Sequence, residues 1–165
     1  MDLRKKILLG LCLLAVPLCS HAGWECYCYQ RASQLRDLGH VAESQGRTAE
    51  CIASYEQAVK IYPYFLDLYP ELAELYDSKH DLKNSERWWN EAVIKSLPDA
   101  RSLSLIHRMR GTFYYHHEML ALAESDLSLA NSLDPSDPLT ELLLASCRKK
   151  NRPTVPSPSG SETSR

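Results

Sequence analysis

Residues 106–135, IHRMRGTFYYHHEMLALAESDLSLANSLDP, place small and large side chains at the spacings that two interlocking helices need. Gly111, Tyr114, Ala123, Leu127, Ala130 and Pro135 form the frame. A small residue on each helix lets the two backbones approach, and a large residue one turn away fills the space between them. Pro135 then ends the second helix.

The frame recurs upstream. Leu35, Gly39, Cys51, Tyr55 and Ala58 are followed by Tyr69, Ala73, Ser85, Trp89 and Ala92, each 34 positions later. From Ala92 to Ala130 the step is 38, so four extra residues enter between the second and third copies, most simply as loop in residues 98–104, after Pro98. No run alternates apolar and polar residues for long enough to read as a strand, so the expected fold is all-α.

This pattern resembles the tetratricopeptide repeat (TPR), the 34-residue helix-turn-helix unit. The family's small residue in the first helix is matched by Gly39, Ala73 and Gly111, and that of the second helix by Cys51, Ser85 and Ala123. Its large position is matched by Tyr55, Trp89 and Leu127, its following alanine by Ala58, Ala92 and Ala130, and its terminal proline by Pro63 and Pro135. Three departures stand out: Ala42 occupies a place held by Tyr76 and Tyr114 in the other copies, Arg110 replaces the usual leucine, and Pro70 shortens a first helix or marks its first turn. The resemblance implies an α-α solenoid of three helix-turn-helix repeats over residues 32–151, closed by a C-terminal capping helix whose apolar face carries Leu142, Leu143, Ala145 and Ser146.

The flanks read differently. Arg4, Lys5 and Lys6, the uncharged apolar run 7–18 and Ser20-His21-Ala22 have the order of a secretory signal peptide, so residues 1–22 are expected to be removed, with cleavage after Ala22. The apolar run is shorter than the ~20 residues a spanning helix needs and contains Pro17, so no membrane span is expected after cleavage. Residues 23–31 form a cysteine-containing N-terminal segment, and 152–165, rich in Pro, Ser and Thr, read as a disordered tail.

Cleavage leaves 16 basic and 20 acidic residues, the 19 and 21 of the whole chain less Arg4, Lys5, Lys6 and Asp2. The one basic cluster that remains, Arg148, Lys149, Lys150 and Arg152, suits the C-terminus of a helix, and nucleic acid is not expected as a partner. The chain is 44% hydrophobic, enough for a core.

Candidate chemistry is sparse. Adjacent residues on a helix point about 100° apart, so His116-His117-Glu118 lacks the one-turn spacing of a helical zinc site. In the repeat frame the trio falls at the turn between two helices. His40, His80 and His107 lie in different copies with no nucleophile signature beside them, and there is no phosphate loop. No enzymatic activity, cofactor or metal is expected. Cys26, Cys28, Cys51 and Cys147 remain after cleavage in an exported, oxidising compartment. Cys26 or Cys28, or both, would bridge to Cys51 or Cys147, while Cys51 equally suits a free core thiol; the alternative is a thiol-redox or soft-metal role for the Cys26-Tyr27-Cys28 pair. Trp89 belongs to the frame. Trp88 either lies exposed with Tyr62, Tyr64 and Phe65 as a contact patch, or fills the joint between the first two copies.

In the family the first helices line a concave groove that accepts a peptide or helix. The resemblance carries that role to Arg36, His40 and Glu43, to Glu74 and Asp77, and to Arg108, Thr112, Tyr115 and His116, a groove of mixed charge. Members that grip a carboxylate terminus use basic and amide residues where this chain has His40, Glu71, Leu105 and Met109, so that mode is not implied. The expected function is an exported, non-enzymatic scaffold or adaptor for a protein or peptide partner, with envelope, secretion or pilus assembly as the setting suggested by analogy. The oligomeric state is not legible.

Overall fold

A computed structural model describes the backbone of residues 3–152 and the side chains of 23–152. The cleavage site and the expected disordered tail beyond residue 152 lie outside the described side chains and backbone respectively. Seven helices follow in chain order: α1 (Leu3–Ser44), α2 (Thr48–Ile61), α3 (Leu68–Ser78), α4 (Leu82–Lys95), α5 (Ala100–His116), α6 (Leu120–Leu133) and α7 (Pro138–Asn151). The described residues contain no strand. α1 pairs with α2, α3 with α4 and α5 with α6, and α7 packs on α6. The chain divides into two compact units, one ending at Lys95 with α1–α4 and the other starting at Ser96 with α5–α7.

The frame residues are the core. In the first unit Cys51, Tyr55, Ala58, Ala73, Ser85, Trp89 and Ala92 are buried, and in the second Tyr114, Ala123, Leu127 and Ala130 are. Gly39 and Gly111 are small for a visible reason. A methyl on Gly39 would overlap the Tyr55 ring, and one on Gly111 would come within 2.9 Å of Leu127 Cγ. Helix propensity favours alanine over glycine by about 1 kcal/mol, so at these positions the close approach of the facing helix outweighs propensity.

The hairpin turns repeat as faithfully. Gly46, His80 and Glu118, one per copy, sit at φ 70°, 59° and 61°. Each first helix closes the same way: Arg47 N–H donates to Ala42 O (2.8 Å), Asp81 N–H to Tyr76 O (3.0 Å) and Met119 N–H to Tyr114 O (2.9 Å). This is the six-residue closure of a Schellman end, which satisfies a carbonyl that the helix leaves open. Glycine suits that conformation; histidine and glutamate hold it at a steric cost.

Several expectations are corrected. The four extra residues are helix, not loop. α5 begins at Ala100, with Asp99 as its cap accepting from Ser102 N–H at 2.9 Å. Residues 100–104 thus belong to the first helix of the third copy. Pro70 lies in the first turn of α3, where its missing N–H leaves no helical bond unmade. Of the two courses open to residues 23–31, starting the first helix early or lying across it, the first is observed: they are part of α1. The capping helix buries Thr140, Leu144 and Cys147, an i, i+4, i+7 stripe, while Leu142 is 64% exposed, so the expected face is turned. Cys26, Cys28, Cys51 and Cys147 are all free thiols, and the expected staple is not formed. Cys51 and Cys147 lie wholly inside their helix contacts, and burial pushes both thiols up, which keeps them protonated and inert.

His80 is exposed and holds the left-handed position without needing its side chain for packing. His80→Gly is therefore expected to stabilise the fold by about 1 kcal/mol, read as a higher urea midpoint at unchanged slope.

Candidate peptide-binding faces

The first-helix residues named above gather on a face of each unit. In the first unit, Tyr55 ties that face to the core. Its ring is buried against Gly39, while its hydroxyl donates to Glu43 Oε2 (3.2 Å) and meets His40 Nδ1 at 2.7 Å. Arg36 stacks its guanidinium 4.7 Å from the Phe65 ring centroid and lies 4.0 Å from Asp67. Facing these from α3 are Glu71, Glu74 and Asp77.

This face sets Arg36 and His40 against the carboxyls of Glu43, Glu71, Glu74 and Asp77. Burial pushes the Glu71 carboxyl up; His40 opposes this, and Asp67 and Glu43 add to it. Its Oε2 is buried without a hydrogen-bond partner. The Glu74 carboxyl is raised as well, by desolvation first and then by Asp77 and Glu43. Its side chain stays exposed, so water screens part of that effect. In both carboxyls desolvation is the larger cause and the neighbouring carboxylates a smaller one.

In the second unit the corresponding face is a cleft of about 530 Å³ lined by Arg101, Ser102, Ser104, Leu105, Arg108, Asp134, Ser136 and Asp137. Leu105 offers an apolar side chain, 45% exposed, between two arginines. Arg108 Nε lies 3.0 Å from Asp137 Oδ2 but makes no aligned hydrogen bond, so the contact is ionic only. Asp137 is already engaged as the α7 cap, accepting from Leu139 N–H (3.0 Å) and Thr140 Oγ1 (2.6 Å). The Thr140 bond is the main cause that lowers its carboxyl, with Arg108 a smaller one. Arg101 is exposed.

Other expected groove residues are partly occupied. Thr112 Oγ1 donates back to Arg108 O (2.8 Å), and Tyr115 lies under the Lys150 ammonium, 5.2 Å from its ring centroid. His116 ends α5 and is exposed; His117 turns its ring onto Phe113 at 4.7 Å; Glu118 pairs with Lys150. The trio therefore points three ways. Among the described residues no group of three or more His, Cys, Asp or Glu is placed to hold a metal.

Beneath the second face lies a buried ionic network. Asp126, next to the frame residue Leu127, accepts from Arg110 Nε (2.6 Å) and Nη2 (2.8 Å) and sits 3.0 Å from His107 Nδ1. Burial acts to raise the Asp126 carboxyl, and the bonds from Arg110 and His107 outweigh it, so the net displacement is downward. Arg110 thus replaces the usual leucine because α6 supplies its counter-ion. Breaking such a buried pair by removing one partner costs about 3–5 kcal/mol.

Sequence reasoning missed Arg101, Ser136 and Asp137 in the cleft. The signal was present for Asp137, which precedes Pro138 as a helix cap does. Trp88 is not an exposed patch. It is buried against Tyr69 at 5.9 Å with Arg87 stacked at 4.8 Å, so it fills the joint within the first unit.

An α-α hairpin repeated three times, with small residues at the crossings and a closing helix, defines a helical repeat protein. The solved structures place it further. The chain is similar to the N-terminal domain of stress-induced protein-1 from C. elegans, with 18% identity and TM-score 0.65 over 73% of this chain and 97% of that one. It is also similar to the first TPR of Spaghetti (RPAP3) bound to the HSP90 peptide SRMEEVD, at 23% identity and TM-score 0.61 over 74% and 94%. The Arabidopsis OM64 TPR domain matches at 16% identity and TM-score 0.59 over 74% and 98%. The chain has the tetratricopeptide-repeat fold. No family model matches it, and no curated protein does.

The raised Glu71 gives a pH signature. A carboxyl whose folded pKa lies above its unfolded value takes up its proton first in the folded state, so its contribution to stability rises as pH falls through that folded value and declines as pH rises. Glu71→Gln is expected to stabilise the protein more at pH 7 than at pH 5, read from urea midpoints of both proteins at both pH values. An equal gain at both would contradict the assignment.

Proposed function

We propose that the protein is an exported, non-enzymatic scaffold or adaptor whose first-helix faces bind a protein or peptide partner. The cleft on the second unit carries this reading. Leu105 lies between Arg101 and Arg108, and both carboxylates of the cleft are shared with local donors, Asp137 with the α7 cap and Asp134 with Ser136, which leaves guanidinium capacity for an incoming acid. The chemistry suits an extended segment in which an apolar side chain neighbours an acidic one. That Spaghetti (RPAP3) in this fold is solved with an acidic peptide, SRMEEVD, supports peptide binding as a class. The carboxylate-terminus residues of such members are absent here, and His40, Glu71, Leu105 and Met109 stand instead.

Export rests on the first 22 residues, and a mature chain beginning at Gly23 is its direct mark. The envelope, secretion or pilus setting is analogy from the resemblance. The thiol or metal alternative is weakened by the helix itself: Cys26 and Cys28, two residues apart on α1, project about 200° from each other and cannot close on one ion unaided.

Crosslinked partners recovered from the native host should be lost, at least tenfold, from the triple variant Arg36→Ala, Arg108→Ala, Tyr115→Ala, with the helical circular dichroism unchanged. Full recovery of the same partners by that variant would sink the groove reading.

A further inference from the structure

One concavity on the first unit shares no residue with the first-helix face. Where α2, α3 and α4 meet, a cavity of about 650 Å³ opens over a wall of Val59, Tyr69 and Trp88, all three buried. The two rings stand 5.9 Å apart at 54°. A concavity of this size with an apolar wall and a few polar groups has the make-up of a small-molecule site. Tyr69 spends its hydroxyl on the Pro63 carbonyl at 3.1 Å. The Trp88 indole N–H, in a residue 8% exposed, is buried and meets no acceptor among the described residues. A buried donor without a partner costs free energy, which an incoming oxygen would restore.

Charge at the rim selects the occupant. Lys60 and Lys95 are exposed, and among the described residues neither ammonium meets a carboxylate or another acceptor. Arg87 lies 4.8 Å over the Trp88 ring and 3.8 Å from Glu56, beyond hydrogen-bond reach, with its side chain 58% exposed, so it is loosely held. Against these three cations the lining sets two carboxylates. Glu56 already accepts from the Tyr76 hydroxyl at 2.9 Å, and Glu91 stands one turn before Lys95 on α4. A cation would meet an excess of its own sign, and an inorganic anion would leave the apolar wall wet. A neutral apolar molecule would cover the lysines and the indole N–H without bonding to them. An organic acid answers all three, its apolar body on the wall and its oxygens toward the lysines and the N–H.

We propose that this cavity binds a small carboxylic acid with an apolar body, of the arylacetate kind. Arg87 swings off the Trp88 ring as the acid enters, which opens the indole N–H to one oxygen and gives the carboxylate a further cation. The site is independent of the peptide faces and stands or falls without them. Its test is saturation-transfer NMR with the full chain and three probes: phenylacetate, its uncharged amide phenylacetamide, and acetate, which lacks the apolar body. Phenylacetate is expected to bind saturably and about tenfold or more tightly than either of the others, the effect of a charge-assisted hydrogen bond in the first case and of a buried ring in the second. Lys60→Gln with Lys95→Gln, both at exposed positions, should weaken it by a similar factor with the helical circular dichroism unchanged. In nitrogen–proton correlation spectra, the indole resonance that Trp88→Phe removes should move downfield as phenylacetate saturates, because its N–H gains an acceptor. Failure of phenylacetate to bind, equal binding of the amide or of acetate, indifference to the double lysine variant, or a stationary Trp88 indole resonance overturns the proposal.

Discussion

The ring of Tyr55 occupies the space that a side chain on Gly39 would need. Everything else in the first unit follows from that close approach. It brings α1 and α2 near enough to bury Cys51, Ala58 and Ala42 between them, and it carries the Tyr55 hydroxyl through the helix pair to His40 and Glu43 on the other side. A core residue thereby positions two groups of the proposed binding face.

The second unit solves the same problem with different chemistry. Gly111 admits Leu127, which has no polar end, and the neighbouring Asp126 does the linking by gripping Arg110 and His107 of α5. The two frames are alike in packing and opposite in electrostatics. Around Tyr55 the carboxyl of Glu71 is pushed up by burial; around Leu127 that of Asp126 is held down by its bonds from Arg110 and His107. Acidification therefore favours Glu71's contribution and erodes that of Asp126. A repeat frame fixes backbone spacing and leaves the polar positions beside it free to diverge, which is how one fold comes to present an acidic face on one unit and paired arginines on another.

The frame was readable because close packing is unforgiving: where two backbones nearly touch, only a small residue fits, and the same crossing returns every 34 residues. The turn of the third copy was readable from the same frame, which put His116-His117-Glu118 between two helices; that Gly46, His80 and Glu118 share the left-handed conformation was not. Other features escaped because they depend on local competition or on distant partners. Whether residues 98–104 coil or wind was decided by Asp99 capping α5, an interaction that a count of residues does not weigh. Trp88 and Trp89 look alike in a helix, and only Tyr69 and Arg87 show why both are buried. The choice of Leu144 over Leu142 on α7 follows from the surface of α6, which the α7 sequence does not contain. The cleft of the second unit is harder still, for Arg108 meets Asp137 only once the helices have packed.

A missing side chain on one helix and a large one on the next thus act as a single device. A double-mutant cycle on Gly39→Ala and Tyr55→Leu by urea unfolding tests this. Gly39→Ala alone should destabilise by roughly 1–3 kcal/mol, the usual cost of overpacking. In the Tyr55→Leu background that cost should largely vanish, giving a coupling of about 1 kcal/mol or more. Additive effects, or a Gly39→Ala protein stabilised as ordinary helix propensity would have it, would contradict the account.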